Sequence, residues 1–384
     1  MPALPVLFID HAPALGGAEH SLLLLLKHLD RTRVWPHLAC PEGALAQQAR
    51  TLGVPVHPIP LPRLRRSPRF PLDMMHGALA LARQARETNA QLIYGNTVRA
   101  SLYASVAARL SRRPFIWHVR DFWLSESRPS HLWPDRLGKQ LLCRAAARVI
   151  ANSHATAHHL PCHDRVSVVY NGIEVEQYDP GVDSTLVREQ YGIPRNVPLV
   201  GTVGRLRPWK GQDRFLRALA LVHRHRPGVW GIIVGGTPFR VEDDYPARLR
   251  QLAAHLGLQE RVVFTGHVED VRPTLAAMDV FVHAGDPEPF GRVVVEAMAM
   301  ARPVIAFAHG ALPELVVDGE SGILVTPGDV EALAQGILHV LADPIRARRL
   351  GESARARARA LFSASRMTAE ITRHLVDVAS NAWA

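Results

Sequence analysis

Short apolar runs of strand length alternate with helical segments from one end of this chain to the other. Val6–Ile9, Trp35–Ala39, Val56–Pro58, Leu92–Tyr94, Phe115–Val119, Val149–Ala151 and Val166–Val169 form one series. Leu199–Val203, Trp230–Val234, Val262–Phe264, Val280–His283, Val304–Ala306 and Gly322–Val325 form a second. A strand, helix, strand order predicts an α/β fold with parallel sheets covered on both faces. With 384 residues the chain is too long for one ordinary core, so two Rossmann-like, doubly wound domains are expected. Asn171 to Pro198 is rich in Gly, Pro and charge with little periodicity, which places the hinge there and divides the domains near residue 175 (1–175 and 176–364). Ligands of such sheets bind beyond the carboxyl ends of the strands, here in a cleft between the domains. A last helix, roughly Ser365 to Ala384, has no strand after it.

Composition narrows the classes. The cysteines Cys40, Cys143 and Cys162 are odd in number and lack metal-ligand spacing, so neither a disulfide framework nor a zinc site is expected and a reducing cytoplasm fits. The start Met-Pro-Ala-Leu-Pro has no basic leader, and the longest strongly apolar run, Leu22 to Leu26, falls far short of the ~18 residues of a membrane span. Residues 1–180 hold 21 Arg or Lys against 13 Asp or Glu, while residues 181–384 hold 24 against 22. The basic excess therefore belongs to the first domain, densest at Arg63, Arg65, Arg66 and Arg69. An anionic membrane at the inner face of the cell, or a phosphorylated acceptor, would be attracted there. Nucleic acid is not expected, because no recognised binding motif or aromatic-basic array appears.

Glu288 and Glu296 stand eight residues apart across a strand, loop and helix start that runs from Val280 to Met300. Backbone N–H groups of Phe290, Gly291 and Arg292 at the helix mouth suit a phosphate, and carboxylates suit vicinal hydroxyls. Glu288 would reach a sugar and Glu296 a ribose. The plainer alternative is a helix cap and a solvated side chain. Because Glu296 lies in an almost wholly apolar stretch, burial without a ligand would leave a charge unpaired, which favours the ligand reading.

Other strand ends carry polar groups. Leu15-Gly-Gly-Ala-Glu19 follows the first strand, so Gly16 and Gly17 are candidates to approach an anion, although tight turns explain most glycine pairs. Arg205 and Lys210, in the loop after Leu199–Val203, would clamp a diphosphate; Lys210 is one of three lysines beside Lys27 and Lys139. The strand Phe115 to Asp121 brings His118 and Arg120 to one face, with Asp121 on the other or at the turn. A buried histidine bonded to a backbone carbonyl is the alternative for His118. Asn96, Glu19 and Asp121 are candidates for acceptor contacts, with helix capping the alternative for Asn96 and for the Asn152–Ser153 pair. The loops Leu61 to Leu72 and Phe122 to Trp133, with Trp123 and Trp133, are expected to shape that site.

Gly16-Gly17-Ala-Glu19, Gly204-Arg205-Leu with Lys210-Gly211, Glu288-Pro-Phe-Gly to Glu296-Ala-Met-Ala, Gly310 to Glu314 and Gly322 to Asp329 resemble the retaining glycosyltransferases of family 4. The resemblance implies the GT-B fold: a first domain that holds the acceptor, a second that binds a nucleotide sugar, and a final helix 365–384 that crosses back to the first. It implies Arg205 and Lys210 on the donor diphosphate, Glu296 on the ribose and Glu288 on the sugar. The Phe290, Gly291 and Gly17 amides would lie nearby, with the base against Gly266 to Val268. The donor would be of UDP or GDP type and the acceptor a glycan or lipid-linked sugar. Transfer would retain the anomeric configuration without metal or cofactor. Family members often place a His just before the acid matching Asp121; here Arg120 holds that position and His118 lies two residues earlier, so either is the candidate at the reacting centre. A nucleotide-sugar 2-epimerase and a non-catalytic two-lobed binding protein are the competing readings.

Overall fold

Every predicted strand forms. A computed structural model describes residues 2–62, 70–122, 132–237 and 244–382. Arg63, Arg65, Arg66, Arg69 and Trp123, as well as the Trp133 side chain, lie outside what is described, and so do the expectations placed on them. The chain divides into two compact units, Met1–Ile173 with Ser363–Ala384, and Glu174–Phe362.

The first unit runs β1 (Leu4–Ile9), α1 (Gly17–His28), β2 (Val34–Cys40), α2 (Ala44–Thr51), β3 (Val56–Pro58), α3 (Phe70–Glu87), β4 (Leu92–Gly95), α4 (Val98–Ser111), β5 (Phe115–Val119), α5 (Leu132–Ala145), β6 (Arg148–Ala151), α6 (His154–His158) and β7 (Val166–Val168). Its seven strands are parallel in the order β3-β2-β1-β4-β5-β6-β7. Alternate side chains feed two cores. Leu7, Ile9, Ile93, Phe115 and Trp117 meet α3, α4 and α5 on one face, while Val6, Phe8, Tyr94 and Ile116 meet α1 and α2 on the other.

The second unit runs α7 (Thr185–Gln190), β8 (Leu199–Val203), α8 (Gln212–His225), β9 (Trp230–Val234), α9 (Tyr245–His255), β10 (Val262–Gly266), α10 (Arg272–Ala277), β11 (Val280–His283), α11 (Arg292–Ala299), β12 (Val304–Phe307), α12 (Leu312–Leu315), β13 (Ile323–Val325), α13 (Val330–Ala342) and α14 (Pro344–Leu361). Its sheet is parallel in the order β10-β9-β8-β11-β12-β13. Phe215, Leu219, Leu249, Leu333 and Ile337 cover one face, and α11 packs on β11 and β12 with α14 behind it. In each sheet the chain reverses its direction of winding once, between β1 and β4 and between β8 and β11. Loops diverge at those points and leave room for a ligand.

The last helix, α15 (Ala364–Ala382), belongs to the first unit. Met367, Ile371, Leu375 and Val378 form its buried stripe against the α1 and α2 side of the sheet, at the spacing of one helix face. Its start is pinned: the Ala364 amide donates to the Ile173 carbonyl at 2.8 Å. A side chain on Gly172 would come within 2.6 Å of the Ala364 backbone.

One expectation is overturned. Cys143 and Cys162 are joined by a disulfide across 19 residues with Cα atoms 5.9 Å apart, leaving Cys40 as the buried free thiol. Sequence spacing could not reveal this, because the proximity is tertiary: α5 ends where β6 begins, and Cys162 precedes β7 at the same amino-terminal edge of the sheet. The cysteines therefore give no argument for a reducing compartment. No helix among the described residues is long and apolar enough to cross a membrane.

If α15 is a structural part of the first core, Ile371→Ala should destabilise that unit by about 2–4 kcal/mol, the usual cost of a buried large-to-small change. Denaturant unfolding followed by circular dichroism reads this directly, and an unshifted transition would contradict it.

Candidate active site

Two loops at the reversal of the second sheet lock against each other. After β8 the chain passes Arg205, makes a 3-10 turn over Pro208–Lys210, and enters α8 through Gly211. After β11 it passes Ala284 to Pro289 and enters α11. The Asp286 amide donates to the Trp209 carbonyl at 2.7 Å, and Arg214 pairs with Asp286 at 2.8 Å. Gly211, at φ +72°, is the contact point: a Cβ there would lie 1.9 Å from the Ala284 carbonyl oxygen. Gly310, at φ +58°, does the same beneath Glu288, where a Cβ would stand 2.6 Å from the Glu288 carbonyl oxygen.

This packing brings Lys210 and Glu288 together. The Lys210 ammonium donates to Glu288 Oε1, and His283 Nε2 lies 3.3 Å from the same oxygen. Burial alone would raise the Glu288 carboxyl. The Lys210 charge and the hydrogen bonds from His283 and Lys210 outweigh it and hold the group well below the usual carboxylate range. The site thus keeps a buried carboxylate ionised beside a cation, with two of the three lysine protons left for another acceptor. Arg205 is exposed at the start of the same loop.

Glu296 lies two turns into α11 and is 4% exposed. It does not stand alone: Arg292 Nε is 3.0 Å from Glu296 Oε1 one turn earlier. The expectation of an unpaired charge is thus corrected, since a neighbour on the same helix neutralises it without a ligand. Gly291 caps α11 without a side-chain hydrogen bond, while the Phe290 ring packs edge-on against Phe362 at 5.9 Å. Gly266 ends β10 and accepts from the Gly235 amide at 2.9 Å; Val268 follows, half-buried. These groups all occupy the carboxyl edge of the second sheet.

The carboxyl edge of the first sheet holds a polar network centred on Asn96. Its Nδ2 donates to Asp10 Oδ2 at 2.7 Å and to the Ala18 carbonyl at 3.2 Å, while its Oδ1 accepts from Arg120 Nε at 2.8 Å. Arg120 Nη1 also donates to Asn171 Oδ1 at 2.5 Å. Asn96 is therefore no helix cap; Thr97 holds that position. Ser153, by contrast, caps α6 through the Thr156 amide. Glu19 accepts from the Gly16 amide at 2.8 Å, a capping interaction, and Gly17 next to it is exposed. Asp121 is exposed and accepts from the Phe122 amide at 2.7 Å.

His118 takes another place. It is 1% exposed, bonds through Nδ1 to the Tyr94 hydroxyl and stands edge-on to that ring. Burial first, then the charges of Arg120 and His374, hold its pKa well below the ordinary imidazole value, so it is neutral at pH 7. Arg120, two residues on, is the half-buried group that ends in the network.

Four participants were not singled out from sequence: Asp10, His283, Tyr94 and Asn171. Asp10 and His283 each had a readable signal, an ionisable residue closing an apolar strand at its carboxyl end. Asp10 is fully buried, and burial, then the Glu19 charge, raise its carboxyl to about 7 against the hydrogen bonds of Ala12, Asn96 and His11. Among the described residues no group of three or more His, Cys, Asp or Glu side chains could hold a metal ion.

Two outcomes follow from these charges. The depressed Glu288 pKa means that its pairing stabilises the second unit above the ordinary carboxylate range and is lost as pH falls. Lys210→Met should therefore cost about 3 kcal/mol at pH 7 and flatten the acid limb of a Tm-against-pH curve; superimposable curves would refute the pairing. The raised Asp10 pKa has the opposite sign, with stability complete below its ordinary value of 3.8 and lost as pH rises through about 7. Asp10→Asn should stabilise the first unit by about 2 kcal/mol at pH 8 and have little effect at pH 4, which the same melting series measures.

Comparison with known proteins places these two edges in a lineage. Residues 15–177 match the model of Glycosyltransferase Family 4, and residues 183–357 match that of Glycosyl transferases group 1. A GDP-mannose-dependent alpha-(1-6)-phosphatidylinositol monomannoside mannosyltransferase of Mycolicibacterium smegmatis is 37% identical over 194 residues, covering 48% of this chain and 49% of that protein. A D-inositol 3-phosphate glycosyltransferase of Streptomyces avermitilis is 32% identical over 228 residues, covering 57% and 49%. These matches span about half the length of the curated relatives. HepE of Anabaena, solved in complex with UDP and glucose, superposes with a TM-score of 0.84 at 31% identity over 97% of this chain and 99% of its own. With one family model on each unit and a GT-B relative aligned almost from end to end, this chain belongs to glycosyltransferase family 4.

Proposed function

We propose that this chain is a retaining glycosyltransferase that moves a sugar from a nucleotide-diphosphate donor to a hydroxyl of a glycan or lipid-linked acceptor, without a metal ion. The observation that carries the proposal is the buried Glu288 carboxylate held by Lys210 and His283 at the winding reversal of the second sheet. A carboxylate kept ionised accepts hydrogen bonds from sugar hydroxyls, while Lys210, Arg205 and the start of α11 meet the charge that grows on a departing diphosphate. Glu296 would receive the ribose hydroxyls, with Gly266 to Val268 against the base and the Phe290 and Gly291 amides beside the phosphates. Stabilising the leaving group and orienting the reactants is the main demand of such a transfer, so no protein nucleophile is required.

The first unit would hold the acceptor. Arg120, set by Asn96 and Asn171, is the candidate for phosphate contact there, with Asp121, Asn96 and Glu19 beside it; at the mouth of α1 the Gly16 amide is taken by Glu19, and the exposed Gly17 is the candidate for an anion. His118 would act from behind, as a neutral group. UDP bound to HepE, and the GDP-mannose named for the mycobacterial relative, support a UDP or GDP donor. The mycobacterial relative is named for a phosphatidylinositol monomannoside and the Streptomyces one for D-inositol 3-phosphate, which supports an acceptor in glycan or glycolipid synthesis at the cytoplasmic face of an anionic membrane. The family found speaks for transfer over epimerisation or mere binding.

Thermal stabilisation by a panel of UDP-, GDP- and ADP-sugars should identify the donor, and transfer assays on lipid-linked and free glycans should then identify the acceptor. Lys210→Ala and Glu288→Ala should each lower kcat/KM at least ~100-fold, EDTA should have no effect, and NMR should show the donor's anomeric configuration kept in the product. Turnover undiminished in both variants would overturn the assignment.

A further inference from the structure

The outer surfaces of α3 and α5 carry exposed apolar side chains. Leu72, Met75 and Leu79 of α3 are 72, 46 and 51% exposed, and Leu137 and Leu141 of α5 are 41 and 56% exposed. Their spacing is that of one helical stripe on each element. On both helices arginines continue the stripe: Arg83 and Arg86 follow Leu79, and Arg144 follows Leu141. With α4 between them, α3 and α5 cover the same face of the first sheet.

Each of these helices follows a strand of a parallel sheet, so each begins at the sheet's carboxyl edge and runs away from it. On α3 the exposed Leu72, Met75 and Leu79 therefore lie toward the edge that carries the Asn96 network, with Arg83 and Arg86 toward the far end, while on α5 Leu137 and Leu141 lie between Arg136 and Arg144. Charge separates this layer from the opposite one. Helices α3, α4 and α5 carry seven basic residues against three acidic, whereas α1, α2 and α15 carry four against three. Arg83 is taken up by Glu87 at 2.7 Å and Lys139 by Asp135 at 2.8 Å. Arg109, Arg136 and Arg144 are exposed and have no acidic partner among the described residues.

We infer that the α3–α5 face is the surface by which this protein docks on an anionic lipid bilayer. An apolar band bordered by unpaired arginines matches an interface in which side chains enter the acyl boundary and guanidinium groups meet lipid phosphates. A protein partner of ordinary composition would cover the leucines but leave the cationic excess unanswered. The inference rests on the proposed membrane-borne acceptor and names the face that would bring the first unit to it. It does not draw on the Arg63 to Arg69 cluster suggested by sequence, which lies outside the described residues.

Vesicle co-sedimentation of the full chain tests it. Binding to phosphatidylcholine vesicles containing 30% phosphatidylglycerol, by choice of composition roughly that of an anionic leaflet, should exceed binding to pure phosphatidylcholine at least ~10-fold and fall in 0.5 M salt, about where screening shortens to a few Å. Met75→Glu with Leu79→Glu, and separately Leu137→Glu with Leu141→Glu, should each reduce binding at least ~10-fold. Thermal stabilisation by UDP should stay unchanged in both, which keeps a failure of docking distinct from a failure of the donor-site reading. Absence of vesicle binding, or binding equal in both variants and the parent, overturns the inference. So does a concentration-dependent oligomer, seen by light scattering, that both variants abolish while vesicle binding persists.

Discussion

A carboxylate taken out of water must be answered by a cation or by hydrogen bonds, and the second unit is arranged to answer one. Glu288 is placed by a backbone that admits only glycine at two neighbouring points, one under Glu288 and one behind Lys210. The two loops have no freedom to drift apart, because the Asp286 amide and the Arg214–Asp286 pair tie them at the same level. Charge, backbone contact and strand order all converge on the site where β8 and β11 part. Remove the cation and the remaining parts would surround an ion that the interior cannot tolerate.

The first unit solves a related problem with neutral groups. Among the described residues no lysine or arginine pairs with Asp10; an amide, Asn96, lies between it and Arg120 and bonds to both. Because the amide offers donors on one side and an acceptor on the other, its orientation is set by its two charged neighbours. The consequence is a carboxyl group that is easily protonated, one amide away from a guanidinium that stays charged. The two carboxyl edges thus differ in kind: one holds a fixed anion, the other a titrating one.

The architecture was readable because parallel strands buried on both faces leave nearly continuous apolar runs, and thirteen such runs, bounded by Gly, Pro and charge, survive any reasonable window. Lys210 and Glu288 were readable for a related reason, since each is an ionisable residue in a loop that directly follows a strand. What stayed hidden was tertiary. The Arg292–Glu296 pair is the exception: it is local, four residues apart on α11, and was within reach of the helix read over that stretch. His118 was ambiguous because strand alternation gives a face but not what covers that face, and here Tyr94 and α15 cover it. The Cys143–Cys162 bond depended on two segments far apart in sequence reaching one edge of the sheet.

The return of α15 to the first unit has an implication for how the chain is made. A ribosome releases the strands of the first sheet early, then all of Glu174–Phe362, and only then the residues that seal the groove over α1. The second unit can complete its interior while the first still exposes Val6, Phe8 and Ile116 on the unsealed side. During synthesis the earlier half is thus the later one to mature, and it is there that a chaperone would find greasy surface to hold.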